Sequence, residues 1–148
     1  MNTDRVLKTD LILDTITVFK DKEHLRKHII DSNEEEAKLF KNYSLDKLCS
    51  KFDYKYEIVS YEKAISSIDL DKVRAYCENL LREVQIDNLY FGQDKGSIYW
   101  VEGAECWCYQ CGDKTDWGQA DDLLSDIDDK ILFSYYEENK EEIDYYLE

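Results

Sequence analysis

Residues 88–110 read NLYFGQDKGSIYWVEGAECWCYQ, and the punctuation of this stretch decides the fold. NLYFGQ and SIYWVEG flank Asp94, Lys95 and Gly96, and Gly103 stands just before AECWCYQ. Short aromatic and β-branched runs separated by glycine-containing breaks pair most simply as neighbours, which predicts a three-stranded antiparallel meander with tight turns. Cys111, Gly112, Asp113 and Lys114 then end the sheet region.

Upstream of the meander, Leu70, Val73, Cys77, Leu80 and Val84 recur at a 3.5-residue rhythm, while Arg74, Glu78, Arg82 and Glu83 stay off it. The spacing predicts a helix from about Asp69 to Gln85, packed on the sheet. Further back, Leu11–Phe19, LILDTITVF, reads as a largely buried strand in which Asp14 must find water or a partner. A helical stretch begins near Lys22, with Leu25 and Ile29 on one face. It breaks where Ser32 and Glu35 form a capping-box pattern ahead of Ala37, Leu39 and Phe40. Ser44 caps a third short helix with the apolar stripe Leu45, Leu48, Cys49 and Phe52. Tyr54, Tyr56 and Ile58 alternate with Lys55 and Glu57 as in a half-exposed strand.

Downstream, Asp116 is placed to cap a helix carrying Ala120, Leu123, Leu124, Ile127 and Ile131 on one face. The run ILFSYY at 131–136 fits a buried strand or a continuing helix equally, because short apolar runs are not separated by period alone. Glu137–Leu147, with Ile143, Tyr146 and Leu147 at helical spacing, reads as helix. The fold class expected is therefore α+β: an antiparallel sheet of about four to five strands packed against several helices, with a helical, acidic C-terminal segment. No Pro and no repeat interrupt the chain, and its five Gly all lie between Gly92 and Gly118, so residues 1–148 are expected to form a single domain.

A chain of 148 residues, 43% hydrophobic and 14% aromatic, can close one core. No window approaches the roughly 18 apolar residues of a membrane helix, and MNTDRVLKTD lacks the basic-then-apolar layout of a secretion signal. Five cysteines, an odd number, suit reduced thiols. The expectation is a cytoplasmic protein with no membrane partner. Against 19 Lys and Arg stand 34 Asp and Glu, a formal charge of −15, which argues against direct binding to nucleic acid or anionic lipid. The imbalance is uneven. Residues 1–86 carry 17 acidic and 15 basic side chains (−2), and residues 87–148 carry 17 and 4 (−13). Such asymmetry points to an interaction surface.

The sharpest motif is Cys106, Cys108 and Cys111, a C-x-C-x-x-C triplet of the soft ligands that zinc prefers, with Cys49, Cys77, His24 or His28 as a possible fourth. In a strand, Cys106 and Cys108 share one face and Cys111 the other, so one metal gathers all three only if the strand ends or bends. Otherwise they are small buried hydrophobes. A dithiol redox role for Cys108 and Cys111 would need a helix N-terminus after them, where the sequence reads as a turn. His24 and His28 are one helical turn apart but lack the glutamate of a zinc-protease helix. No glycine-rich phosphate loop occurs. Asp126, Asp128 and Asp129 miss the EF-hand glycine, because Ile131 occupies that position although Glu137 fits the last one. With two histidines in the chain, no nucleophile, base and orienting group assemble, so the chain is not expected to be an enzyme or to carry a cofactor.

What remains is an acidic, aromatic final third: Trp117 with Asp121, Asp122, Asp126, Asp128 and Asp129, then Tyr136 with Glu137, Glu138, Glu141 and Glu142. On a continuous helix Asp122, Asp126 and Asp129 share a face, and Glu137/Glu141 and Glu138/Glu142 repeat at i,i+4, where like charges repel. A chain needing only solubility intersperses Lys, as the segment from Asp69 to Glu83 does. The expectation is a small inhibitor of a basic partner protein, such as a nuclease toxin or another nucleic-acid-binding protein. Its carboxylates would stand where phosphates would sit, in the manner of an immunity protein, an antitoxin or a phage anti-defence protein. The alternative expectation is a structural-zinc adaptor using Cys106, Cys108 and Cys111.

Overall fold

In a computed structural model that describes residues 3–33, 35 and 37–147, the apolar run Leu11–Leu13 is a turn and not part of a strand. It joins β1 (Arg5–Asp10) to β2 (Thr15–Phe19) as an antiparallel hairpin. The carboxylate of Asp10 accepts the amides of Ile12 (2.9 Å) and Leu13 (3.0 Å), and Asp14 takes a left-handed backbone with φ 54°. Both are turn properties of aspartate, and they outweigh the strand preference of the aliphatic residues between. Leu11, Ile12 and Leu13 are exposed as a result, Ile12 to 73%.

The chain divides into two units, Met1–Ile68 and Asp69–Glu148, each with its own antiparallel sheet. In the first, β3 (Tyr54–Val59) pairs with β1 to give the order β2-β1-β3. The helices α1 (Lys22–Asp31), α2 (Ala37–Phe40) and α3 (Leu45–Lys51) supply Leu25, Ile29, Phe40, Leu48 and Cys49 to a core shared with Val6 and Phe19. Ser44 caps α3 as expected, accepting the Lys47 amide. Ser32 does not open a capping box. It terminates α1, its hydroxyl donating to the His28 carbonyl at 2.7 Å. Leu39 faces water while Phe40 is buried, and the side chain of Ala37 lies outside the described set. A further helix, α4 (Tyr61–Ser67), capped by Ser60, packs on β1.

The second unit opens with α5 (Leu70–Arg82), capped by Asp69 accepting the Lys72 amide. Its buried stripe is Val73, Tyr76, Cys77 and Leu81. Val84 lies beyond the helix and is exposed, so the heptad-like reading through Leu80 and Val84 is corrected to one with a 3.6-residue drift. The helix packs on β4 and on the three helices that follow the sheet. The meander has four strands: β4 (Asn88–Tyr90), β5 (Ser97–Val101), β6 (Cys106–Cys111) and β7 (Lys114–Gly118), in the order β4-β5-β6-β7. Cys111–Lys114 does not end the sheet. It is the turn into β7, with Cys111 paired to Lys114. Asp116, expected as a helix cap, lies within β7 opposite Tyr109.

The C-terminal segment is three short helices: α6 (Ala120–Ser125), α7 (Asp129–Glu138) and α8 (Lys140–Leu147). Residues 131–136 are helical, and they bury Leu132, Phe133, Tyr135 and Tyr136. Non-helical residues at Asp126–Asp128 and at Asn139 separate the helices. Asp128 caps α7 by accepting the Lys130 amide at 2.8 Å, and Asn139 closes it with φ −120° and ψ 33°. Two antiparallel sheets with flanking helices make the fold α+β. Among the described residues no helix is long and apolar enough to cross a membrane.

Candidate functional site: the acidic helices

The division into units sharpens the charge count. Residues 1–68 hold 13 acidic and 12 basic side chains (−1), and residues 69–148 hold 21 and 7 (−14), so the second unit carries nearly the whole imbalance. Its carboxylates are not spread over every face. On β5 and β6, Ser97, Tyr99, Val101, Cys106, Cys108 and Gln110 share one side of the sheet by strand alternation and pairing, with Thr115 and Trp117 of β7 beside them, and none is charged. The opposite side carries buried Leu89, Ile98 and Tyr109. A Cβ on Gly118 would lie 3.7 Å from Leu123 of α6, so the side of Gly118 faces that helix. Trp117, its neighbour in the strand, therefore points away from α6. It is 56% exposed but belongs to the uncharged sheet face and is not grouped with Asp121 and Asp122, as the sequence had suggested.

Six of the expected acidic residues sit in first turns or cap positions. Asp121 and Asp122 open α6, Asp128 and Asp129 begin α7, and Glu141 and Glu142 begin α8. There the positive end of the helix dipole favours a carboxylate. Two of the six are also neutralised from α5: Arg82 Nη2 lies 3.0 Å from Asp121, and Arg74 Nη2 lies 3.0 Å from Asp129. Glu142 accepts the Tyr76 hydroxyl at 3.2 Å. The repulsion expected along one continuous helix is partly relieved, because Asp122 and Asp126 both belong to α6, the second as its C-cap, while Asp129 falls on α7. Asn139 likewise interrupts the Glu137/Glu141 and Glu138/Glu142 pairs.

Asp126 and Glu138 are placed differently. Asp126 is the C-cap of α6 and Glu138 the last residue of α7, where the dipole is negative. None of α4, α6, α7 and α8 has a basic residue in its last turn, whereas α1, α2, α3 and α5 carry His28, Lys38, Lys51 and Arg82 there, α1 with Asp31 as its last residue. Among the described residues no cation lies within ion-pair distance of Asp122, Asp126, Glu138 or Glu141. Glu137 is half-buried near the end of α7.

Tyr136 leaves the surface set altogether. It is fully buried, and its hydroxyl donates to Asp144 at 2.6 Å. The exposed tyrosines of this region are Tyr145 and Tyr146, although helical spacing had set Tyr146 beside Ile143, which is buried. Tyr76 on α5, expected at neither core nor site, packs its ring 5.4 Å from that of Tyr146. Burial, then the hydrogen bond to Glu142, pushes its hydroxyl above the usual phenol range, so it stays a donor.

The cysteine triplet is not gathered. β6 runs unbroken from Cys106 to Cys111. Cys108 is fully buried, and the Cys111 thiol donates to the Asp94 carbonyl at 3.4 Å. His24 sits against Asp21 at 2.7 Å, and His28 packs on Phe19. Among the described residues no group of three or more His, Cys, Asp or Glu is placed to hold a metal ion. No family model, no curated protein and no solved structure matches the chain.

Proposed function

We propose that the protein binds and inhibits a basic partner protein, of the nuclease or toxin kind, through the carboxylates of α6, α7 and α8. The observation that carries this reading is that α6, α7 and α8 have no basic residue of their own in their last turns, and that Asp126 and Glu138 sit at two of those ends with no ion pair among the described residues, Arg74 of α5 reaching the end of α6 only at its Leu124 and Ile127 carbonyls. Helix stability alone favours Lys or Arg there, and the first unit places a basic residue in the last turn of α1, α2 and α3 though not of α4. Uncompensated carboxylates at the negative ends of helices cost stability in the free protein. A surface dense in lysine and arginine removes that cost on binding and speeds encounter over distances of about 10 Å at ordinary ionic strength.

The test is a triple reversal, Asp122→Lys, Asp126→Lys and Glu138→Lys, with Glu62→Lys in α4 as an exposed control outside the acidic unit. Immobilised protein is exposed to lysate of its source cells at low and high salt, and the activity of what it retains is assayed with and without added protein. The reading requires a basic protein that is retained at low salt, released at high salt, inhibited on addition, and lost by the triple variant but kept by the control. Retention by the triple variant with unchanged salt dependence refutes it.

A further inference from the structure

Between α5 and α8 the second unit has an open groove of about 660 Å³, lined by Tyr76, Glu141, Glu142, Tyr145 and Tyr146. Helical spacing builds it. Glu141 and Tyr145 are i,i+4 on α8, as are Glu142 and Tyr146, so each carboxylate has an aromatic ring one turn along the same side. Tyr76 closes the inner wall, tilted 58° against the Tyr146 ring and holding one oxygen of Glu142 through its hydroxyl. Tyr145 forms the outer rim and is 82% exposed, the largest exposure of any large hydrophobic residue described. The nearest lysine in sequence, Lys140, pairs with Asp144 and lies over the Tyr136 ring, and among the described residues no cation pairs with Glu141.

We propose that this groove is the receptor for an arginine side chain of the basic partner, a refinement that rests on the reading above. Carboxylates exclude an anion. An apolar side chain would cover them without pairing them, which is costly. A cation fits both components, and the planar guanidinium fits them best, because it stacks on ring faces while its N–H fork reaches carboxylate oxygens. A lysine ammonium is a compact, strongly hydrated charge that uses the carboxylates but gains less from the rings.

The experiment titrates three short glycine-spaced peptides, bearing arginine, lysine or citrulline, into the full-length protein at low salt, followed by calorimetry and by the NMR signals of α8. Tyr145→Ala removes a ring and no charge at an exposed position. Asp122→Asn with Asp126→Asn removes two charges elsewhere. Circular dichroism confirms that each variant keeps its fold. The arginine peptide binds tighter than the lysine peptide, and citrulline does not bind. Tyr145→Ala weakens the arginine peptide by about three-fold, the value of an exposed cation–π contact, and leaves the lysine peptide nearly unchanged. Asp122→Asn with Asp126→Asn weakens both peptides alike. If arginine and lysine peptides bind equally and Tyr145→Ala changes neither, the groove assignment is overturned while the acidic-surface reading stands. If neither cationic peptide binds, both fall.

Discussion

Replacing Arg74 by methionine tests how the acidic helices are held to the rest of their unit. The Arg74 guanidinium donates from Nε to the Leu124 carbonyl at 3.2 Å and from Nη2 to the Ile127 carbonyl at 2.7 Å and the Asp129 carboxylate at 3.0 Å. Leu124 lies in the last turn of α6 and Asp129 in the first turn of α7, so one side chain of α5 fastens the junction between them. A hydrogen bond from a charged donor contributes roughly 1.5–3 kcal/mol when buried. Arg74 is 21% exposed and Asp129 63%, so the ion pair is screened to well under about 1 kcal/mol. The two carbonyl bonds then dominate, and Arg74→Met is expected to cost about 3 kcal/mol, or a fall of about 6–12 °C in Tm. Trp100, Trp107 and Trp117 all belong to the second unit, so urea unfolding followed by tryptophan fluorescence reports on it directly. Asp129→Asn separates the contributions, since it deletes that ion pair and keeps both carbonyl bonds and the longer, 3.7 Å pair with exposed Asp71. An Arg74→Met protein within about 0.5 kcal/mol of the native one, or an Asp129→Asn variant as costly as Arg74→Met, would refute this account of the junction.

Gly96 turns β4 into β5 with φ +99°, and a Cβ there would meet the Gln110 carbonyl at 2.7 Å and the Tyr109 ring at 2.9 Å. Gly96→Ala should lower the urea midpoint sharply while Gly103→Ala, with open space around it, should not. Equal midpoints would sink the argument. Burial pushes the Cys77 thiol up to about 12 from an ordinary 9.0, and burial likewise raises the Tyr109 hydroxyl to about 12. Above pH 9 the unfolded chain therefore loses protons that the native state retains, so stability is full below that pH and declines between about pH 9 and pH 12. Thermal melts across that window check the sign, and a rising Tm would contradict it. At neutral pH an alkylating agent should modify partly exposed Cys106 and Cys111 and reach Cys77 only after unfolding, as peptide mapping would show.

Helices with a cap and a clean face were legible from residues alone. Ser44 caps α3 where the sequence placed it, α5 begins beside Asp69 where its start was read, and Leu25, Ile29, Leu48 and Val73 are buried as their spacing required. β1 was not legible, because Lys8 and Asp10 make RVLKTD look like surface. In the fold both are buried, with Lys8 lying 4.3 Å over the Tyr54 ring and Asp10 engaged by the hairpin amides. Asp116 was misread for the opposite reason: an aspartate before an apolar run has the form of a cap, and only pairing with β6 shows that the strand continues. The candidate site was legible in its charge and less so in its shape. The apolar period read from Ala120 to Ile131 ran across the Asp128 cap, and the helix read over Glu137–Leu147 ran across Asn139, so neither helix break was seen. Tyr136 and Tyr145 could not be told apart, since which tyrosine turns inward depends on where each helix begins.

Those helix breaks bear on what the carboxylates are for. Had residues 119–147 formed one helix, a single dipole would leave most of its acids in the interior, where they would repel at i,i+4 and little about their positions would be informative. Three short helices present three positive and three negative ends, and so sort the same residues into two groups. Asp121, Asp122, Asp128, Asp129, Glu141 and Glu142 lie at beginnings, where local electrostatics accounts for them. Asp126 and Glu138 lie at ends, where it opposes them. Solubility does not distinguish these positions either, because the neighbouring sheet face around Tyr99 and Cys108 does without any charge. Asp126 and Glu138 each also lie just ahead of the next helix, Asp126 two residues before the Asp128 cap of α7 and Glu138 two residues before α8 begins, and on the proposed reading a basic partner adds a force of the same favourable sign.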